Sequence, residues 1–384
     1  MRVFKNNLPY PLFLQYMENF DVVIIGGGTA GLILARELGK FKLKTLVLDR
    51  KKDLLEFSFN TLGSFLNLKE FGLTTDVVAQ EIATISFHSN NIKRKVKSDL
   101  YILDKKKVHI EILNSIDREY VDIKTGVDIK SINHNKEGHF TAVIDKNNVS
   151  YFGEIFIDAS GTNAVISKKV GLRAKKVDLA SGVEYNVKYI GNPSEMHLLI
   201  GKIYQGGYGW IFPLKDNRAI IGFGTFDEKI VKELKQRLNK ILDLPKIKKL
   251  VTKDNEKVEG GSIPITPVLD KFILNNLVCV GDSVAQVHPI VGEGYKFIFE
   301  AAIIASRAIE KSLKNKDLKY LSEYEANWKK RFFLNYKRSK RSQARFFTYS
   351  QNNFLTDFIV FISKFLSDKR AIKSLSGEYG LDKV

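Results

Sequence analysis

A short apolar strand that runs directly into a glycine-rich turn constrains the fold of this 384-residue chain most strongly. Residues 21–25 read DVVII, a β-branched run typical of a buried parallel strand, and residues 26–31 follow at once with GGGTAG. Apolar residues at helical spacing then lead to a second strand, residues 44–48, which ends in Asp49. This order of strand, turn, helix, strand and acid is the context that a dinucleotide-binding turn requires. This end of the chain therefore predicts a Rossmann-like unit.

Each glycine of the turn has a physical task in such a unit. Gly26 permits the tight turn, Gly28 lets a pyrophosphate approach the backbone, and Gly31 lets the helix pack closely on the strand. The helix N-terminus offers free N–H groups to phosphates, and Asp49 can accept hydrogen bonds from the adenosine ribose. A packed turn without a ligand is the alternative, and the turn alone does not distinguish FAD from NAD.

Composition limits the class of protein without choosing it. Lys and Arg number 61 against 43 Asp and Glu, a net charge of +18, which favours an anionic partner such as nucleic acid, an acidic membrane surface or a polyphosphate ligand. A solvated, lysine-rich surface explains the same charge. The single cysteine, Cys279, excludes an internal disulfide and a cysteine zinc cluster, and we expect no metal site. Because no spanning apolar run or signal peptide is evident, we expect a cytoplasmic protein.

The rest of the chain alternates between two kinds of pattern. Residues 86–150 and 182–226 show the period and the turn residues of antiparallel strands. A strand predicted over residues 272–280 then ends at a second glycine element, residues 281–294, which read GDSVAQVHPIVGEG. The order is a nucleotide unit, a sheet unit and the nucleotide unit again, so the two units are interleaved.

Four motifs together resemble the geranylgeranyl reductase family, within the flavoproteins of the p-hydroxybenzoate hydroxylase fold. The motifs are the glycine turn that leads to Asp49-Arg50, the turn Asp158-Ala159-Ser160-Gly161, the strand Tyr208-Gly209-Trp210-Ile211-Phe212-Pro213, and residues 281–294. The last motif is specific for the wider group. The Tyr-x-Trp-x-Phe-Pro element and Glu293 favour the reductases, because hydroxylases of this fold usually carry Gln at that position.

The resemblance implies an α/β plus α+β fold with three parts. These are a discontinuous Rossmann-like FAD-binding domain, an antiparallel-sheet substrate domain and a helical C-terminal segment. We expect residues 1–85, 100–175 and 260–320 in the first, 86–99 and 176–259 in the second, and 321–384 in the third. The implied FAD contacts are Gly26, Gly28, Ala30, Gly31, Asp49, Arg50, Lys105, Asp158, Gly161, Asp282, Pro289, Gly292, Glu293 and Gly294.

The resemblance also implies an activity: saturation of isolated C=C bonds in a prenyl chain. Reduced flavin would give a hydride to one alkene carbon, and a proton would reach the other. Tyr208 is the candidate proton donor, and Tyr208, Trp210, Phe212 and Pro213 are the candidate substrate contacts. Ordinary core aromatics on alternate strand positions, and a structural His288, are the competing interpretations. The external donor, NAD(P)H or a ferredoxin-type protein, stays open.

Two positions depart from the family pattern. An Asp-Arg pair is usual where this chain has Asp104-Lys105, and lysine keeps the charge without the bidentate fork. Some members carry a cysteine pair near the substrate, which a chain with only Cys279 lacks.

The C-terminal segment interleaves aromatic and basic residues. This composition suits an anionic membrane interface, where long isoprenoid lipids reside, and a helical cap with its lysines in water is the alternative. No recognised nucleic-acid module accompanies the charge, so we expect no nucleic-acid partner. We expect an isoprenoid lipid or prenyl diphosphate substrate. A flavin monooxygenase, or an isoprenoid cyclase that uses FAD without net redox change, remains an alternative function.

Overall fold

A computed structural model describes residues 18–174, 177–255, 257–265, 268–376 and 378. The strands are β1 Asn19–Ile25, β2 Thr45–Asp49, β3 Thr61–Ser64, β4 Val78–His88, β5 Lys93–Asp104, β6 Val121–Thr125, β7 Ile129–His134, β8 Phe140–Asp145, β9 Ser150–Asp158, β10 Leu179–Tyr189, β11 Glu195–Leu199, β12 Gly207–Pro213, β13 Arg218–Thr225, β14 Val251–Thr252, β15 Val258–Pro264, β16 Ile273–Leu274 and β17 Leu277–Cys279. The α-helices are α1 Thr29–Lys40, α2 Lys105–Asn114, α3 Leu234–Leu242, α4 Pro245–Lys248, α5 Tyr295–Asn315, α6 Ser322–Trp328, α7 Leu334–Tyr349, α8 Asn353–Ser363 and α9 Asp368–Leu375.

The first sheet has, in the described ranges, eight strands with the order β16-β17-β9-β1-β2-β6 and the pair β7-β8 attached to β9. Its central strands β17, β9, β1, β2 and β6 run parallel. Helices α1 and α5 contact each other beside this sheet, where apolar residues of both helices are fully buried. This is the Rossmann-like unit that the glycine turn predicts.

The second sheet has nine described strands in the order β14-β10-β13-β12-β11-β4-β5-β3, with β15 beside β10. All its pairs are antiparallel except β11 with β4. The fold class that we predict, with two interleaved units and a helical C-terminus, is confirmed. The second sheet begins earlier in the chain than residue 86, because β3 and β4 already belong to it.

Two local predictions are wrong. Residues 272–280 form the short antiparallel pair β16 and β17 instead of one strand, because Asn275 adopts a left-handed conformation (φ +52°) and turns the chain. The apolar pattern also predicts one strand over residues 198–204, but β11 ends at Leu199 and a 3₁₀ turn covers Lys202–Tyr204 after Gly201 at φ +141°. Both errors come from single backbone positions that apolar periodicity does not show.

The C-terminal helices pack on both units. Trp328 and Tyr324 of α6 are fully buried in the core of the first unit. The Trp328 ring contacts the Phe272 ring edge-on, with the ring centroids 5.1 Å apart. Helices α8 and α9 lie instead against β5 of the second sheet. The C-terminal segment is therefore part of both cores.

We expect Trp328→Ala to lower the free energy of unfolding by about 3–5 kcal/mol, the usual cost of removing a buried Trp side chain. The control is Leu334→Ala on α7, a half-exposed position where the expected loss is about 0.5 kcal/mol or less. Denaturant unfolding measures both. Equal losses for the two variants would contradict the placement of α6 in the core.

Candidate active site

The glycine turn between β1 and α1 is fixed by close backbone contacts. Gly26 has φ +110°, and a Cβ there would lie 2.3 Å from the carbonyl oxygen of Ala159. A Cβ on Gly31 would lie 1.9 Å from the carbonyl oxygen of Gly26. Asp49 supports the turn, because its Oδ2 accepts a hydrogen bond from the Gly27 N–H at 2.7 Å. Gly26 and Gly31 therefore hold the turn together, and neither tolerates a side chain.

A cavity of about 240 Å³, the glycine-turn cavity, opens in front of this turn. It is bounded by the turn, the end of β2, the loop after β9 and the loop after β17. The N-cap residue of α1 is Gly28, which has no side chain to cap the helix, so the first N–H groups of α1 can bind an anion. Seven of the predicted cofactor residues line this cavity: Gly26, Gly28, Ala30, Asp49, Arg50, Gly161 and Asp282.

Asp282 carries a buried oxygen that suits a ligand hydroxyl. Burial raises the pKa of its carboxyl to about 6, and its Oδ1 has no hydrogen-bond partner among the described atoms. Buried polar atoms are normally paired, so this acceptor fits a donor supplied by a bound molecule. Arg173 holds the loop, because its Nη1 donates to the carbonyl oxygen of Asp282 at 2.7 Å.

Asp158, an FAD contact that the resemblance implies, does not line the glycine-turn cavity. It is fully buried, and its carboxylate accepts hydrogen bonds from the N–H groups of Ser160, Ile166 and Ser167 and from the Ser160 hydroxyl. It lies behind the lining of the glycine-turn cavity and shapes the loop that carries Gly161. Asp158, one of the implied FAD contacts, therefore organises this loop in the structure.

A second cavity of about 210 Å³, the junction cavity, lies between the second sheet and the loop after β17. Lys105 lines this cavity and not the glycine-turn cavity. Burial lowers the pKa of Lys105, while Glu184 and Asp282 act in the opposite sense. Burial raises the pKa of Glu184 to about 8, and its Oε2 accepts a hydrogen bond from Trp210 Nε1 at 3.2 Å.

A third cavity of about 330 Å³, the apolar cavity, lies between the second sheet and the C-terminal helices. Its walls are mainly hydrocarbon: Ile85, Met196 and Leu198 from the sheet, and Ile359 and Leu366 from the helical side. The apolar and junction cavities have a common boundary formed by Gly63, Tyr208, Phe212, Val291 and Glu293. The chamber that contains Lys105 and Glu184 therefore meets the hydrocarbon chamber at one set of residues.

The predicted substrate strand β12 supplies the aromatic part of that boundary. Trp210 and Phe212 stack with ring centroids 6.1 Å apart, and both line the junction cavity. The Tyr208 hydroxyl donates to the carbonyl oxygen of Val291 at 2.7 Å. Pro213 ends the strand and is buried outside the linings of the three cavities.

The loop after β17 supplies Val291 and Glu293 to the same boundary. Gly292 lines the junction cavity, whereas Gly294 precedes α5 and the carbonyl of Pro289 accepts a hydrogen bond from Gln343. Burial raises the pKa of the Glu293 carboxyl to about 7, and its Oε1 accepts a hydrogen bond from the Ser64 hydroxyl.

His288 has a structural position. It is buried, pairs with the Ser339 hydroxyl at 3.0 Å and stacks on Phe297. Burial lowers its pKa to about 4, so it is neutral at pH 7. These contacts agree with a structural histidine.

Sequence reasoning missed Ser64, Arg173 and Glu184. Each acts through a partner far away in the chain, such as Glu293 for Ser64 and the Asp282 carbonyl for Arg173. The strand β3 is only four residues long, so no periodicity marks Ser64. The one available signal is Glu184, an acidic residue on a predicted strand, because acids are seldom buried without a partner.

The described residues contain no group of three or more His, Cys, Asp or Glu residues placed to hold a metal ion. Within the same ranges, no helix is long and apolar enough to cross a membrane.

A glycine-turn unit joined through a second Gly-Asp loop to a large mixed sheet defines a flavoprotein of the FAD-dependent oxidoreductase fold. A family model described as "Lycopene cyclase protein" matches residues 21–366, and the chain belongs to that family. A digeranylgeranylglycerophospholipid reductase of Methanocaldococcus jannaschii is 27% identical over 336 residues, covering 82% of this chain and 83% of that protein. Digeranylgeranylglycerophospholipid reductase 3 of Methanosphaera stadtmanae is 27% identical over 320 residues, covering 78% and 80%.

Solved structures show the same fold. A geranylgeranyl bacteriochlorophyll reductase-like protein from Thermoplasma acidophilum superposes with a TM-score of 0.82 at 21% identity, covering 94% of this chain and 98% of that chain. A probable FAD-dependent monooxygenase from Pseudomonas aeruginosa superposes with a TM-score of 0.70 at 17% identity, covering 90% and 100%. The resemblance to the geranylgeranyl reductases is confirmed, and the fold is common to reductases and monooxygenases.

We expect Gly28→Ala to weaken FAD binding about tenfold or more, because the methyl group would occupy the space that the pyrophosphate needs. Gly28 has φ −81°, which alanine adopts, and its Cβ would meet nothing within 4 Å, so the protein itself tolerates the change. Titration of the apoprotein with FAD measures the affinity. The control is apoprotein unfolding, which should be unchanged within about 0.5 kcal/mol. Wild-type affinity in this variant would contradict the assignment of the cavity.

Proposed function

We propose that this protein is an FAD-dependent reductase that saturates C=C bonds in the prenyl chains of a lipid. The observation that carries the proposal is the common boundary of the junction and apolar cavities at Tyr208, Phe212 and Glu293. A hydrocarbon chain in the apolar cavity would meet a redox group in the junction cavity at this boundary. Similarity to proteins named digeranylgeranylglycerophospholipid reductase supports the same activity.

The residues that line the glycine-turn cavity and the junction cavity fit FAD. Gly28 and the N-terminus of α1 would bind the pyrophosphate, and Asp49 would bind the adenosine ribose. The unpaired Oδ1 of Asp282 would accept a hydroxyl of the ribityl chain. Lys105, Gly292 and Glu293, which line the junction cavity, would face the flavin ring. When bound and reduced, the flavin supplies the hydride.

The apolar cavity fits an isoprenoid chain because its lining offers carbon surface to carbon surface. Burial of apolar area stabilises such a complex by about 25 cal/mol per Å². An unactivated alkene has no carbonyl for the protein to polarise, so positioning and proton supply are the contributions left to side chains. Phe212 at the boundary, with Trp210 stacked on it from the junction cavity, would confine the chain end.

The test is anaerobic incubation of photoreduced enzyme with candidate prenyl lipids. We expect flavin reoxidation and a gain of two hydrogen atoms per saturated bond, read by mass spectrometry. Replacing photoreduction by NAD(P)H or by a reduced ferredoxin then identifies the external donor. An unchanged product mass with altered retention would indicate a cyclase, the activity that the description of the matching family favours. Oxygen-dependent gain of one oxygen atom would indicate a monooxygenase.

We expect Leu198→Trp to lower kcat/KM for a long-chain prenyl lipid about tenfold, because the indole would fill the apolar cavity. Flavin content and photoreduction should stay at wild-type values, since Leu198 lies outside both other cavities. The control is Ile203→Trp, at an exposed site. Unchanged lipid kinetics in Leu198→Trp would contradict the location of the substrate.

We further propose that the protein is peripheral on the cytoplasmic surface of an anionic membrane, with α8 as the contact. The face of α8 that points away from the sheet is hydrocarbon: Phe354 is 75% exposed, and Phe365, just after the helix, is 78% exposed. The acid of this helix, Asp357, faces inward and binds the Ser89 hydroxyl and the Asn91 N–H. Exposed Lys364 and Lys369 follow the helix. An apolar face beside cations matches an interface with anionic headgroups.

The opposite face of the same helix lines the apolar cavity through Ile359 and Val360. Helix α8 would therefore separate the bilayer from the substrate chamber by one layer of side chains.

We expect the triple variant Phe354→Ser, Phe358→Ser, Phe365→Ser to lose about tenfold or more of its binding to phosphatidylglycerol vesicles in co-sedimentation at low salt. The control carries Ile190→Ser and Val149→Ser, two exposed apolar positions remote from α8 in the chain, and should bind as wild type does. A wild-type protein that ignores the vesicles would contradict the membrane proposal.

A further inference from the structure

We infer that Glu293 donates the proton that completes saturation of the alkene. This inference rests on the proposed reductase function and assigns the acid that the function requires. It replaces Tyr208, which the sequence favours for that step.

Position separates Glu293 from the other acids of the site. Among the described residues it is the one carboxyl group that lines both the junction cavity and the apolar cavity. Asp282 lines the glycine-turn cavity, and Glu184 lines the junction cavity alone. A proton on Glu293 is therefore at the boundary where the alkene meets the redox group.

Tyr208 occupies the same boundary but is poorly suited to donate. Its hydroxyl proton is already directed at the carbonyl oxygen of Val291, at 2.7 Å. Burial raises its pKa further above the ordinary value, so loss of that proton is unfavourable. Tyr208 instead positions the loop that carries Glu293.

The surroundings of Glu293 suit an acid that ionises and is reprotonated. Its side chain is 6% exposed, and burial favours the protonated form near neutral pH. The Ser64 hydroxyl and the backbone N–H groups of Phe65 and Lys296 hydrogen-bond the carboxylate once it forms. Among the described residues, the charged or titratable groups around it include the Lys296 ammonium on α5, which favours the anion, the hydroxyl of Tyr336 on α7 and the hydroxyl of Tyr208 on β12. Fixed donors of this kind stabilise charge as it develops.

The step balances in atoms and electrons. One C=C π bond breaks and two C–H bonds form, one from the Glu293 proton and one from the hydride of the reduced flavin. The carboxyl becomes a carboxylate and recovers a proton from water before the next bond is reduced. The oxidised flavin requires the external donor named above.

The test compares Glu293→Gln with Glu300→Gln, the same change on α5 at a carboxyl that pairs with Arg331 outside the three cavities. We expect Glu293→Gln to fold, to bind FAD and to lose kcat by about 10²-fold or more. Glu300→Gln should lose about twofold or less. Wild-type kcat should fall as pH rises through the Glu293 pKa, because the protonated acid is the donor.

A second measurement needs no turnover. The infrared difference spectrum between wild-type apoprotein and Glu293→Gln should contain a protonated-carboxyl C=O band that disappears near pH 7. Ser64→Ala should move this midpoint and the alkaline limb of kcat upward, because the Ser64 hydroxyl stabilises the anion.

Two negative results have different meanings. If wild-type enzyme adds no hydrogen to any prenyl lipid, the proposed function fails, and this inference fails with it. If wild-type enzyme saturates the lipid while Glu293→Gln retains its rate and alkaline limb, the reductase stands and Glu293 is not the donor. An absent difference band, or one that titrates near an ordinary glutamate pKa, also overturns the inference.

Discussion

Two hydrogen bonds at the centre of the candidate site join the interleaved units. The Ser64 hydroxyl of β3 binds Glu293, and the Tyr208 hydroxyl of β12 binds the carbonyl of Val291. Both connect a strand of the second sheet to the loop that follows β17 of the first. Because this loop also carries Asp282 into the glycine-turn cavity, the two contacts connect the glycine-turn, junction and apolar cavities.

The carboxyl groups along this path share an electrostatic character. Burial raises the pKa of Asp282, Glu184 and Glu293 to about 6, 8 and 7. A group whose pKa is raised in the folded state stabilises the fold at acid pH, and that contribution is lost as the pH rises through the folded value. Ionisation of these three buried acids is therefore unfavourable near neutral pH. Such clusters are common where proton transfer or ligand binding takes place.

Sequence reasoning succeeded where local patterns define the structure. The strand, the glycine spacing and Asp49 predict the nucleotide turn, and Gly26 and Gly31 stand where a Cβ would collide with backbone. The aromatic residues at alternate positions of β12 likewise predict an aromatic lining, and Tyr208, Trp210 and Phe212 all line the junction cavity. It missed Ser64, which belongs to a four-residue strand and acts through the distant Glu293. It also does not show that Asp158 organises its own loop by accepting backbone N–H bonds. It also could not separate Lys105 in the junction cavity from the glycine-turn contacts, because that depends on how the units pack.

The most direct test of the central claim is an experimental structure of the protein with FAD and a prenyl lipid bound. The account predicts the flavin ring in the junction cavity beside Glu293 and the prenyl chain in the apolar cavity against Leu198 and Ile359. It also predicts that an alkene carbon of the chain contacts the Glu293 carboxyl. A prenyl chain bound only outside α8, or a flavin ring distant from β12, would contradict the account.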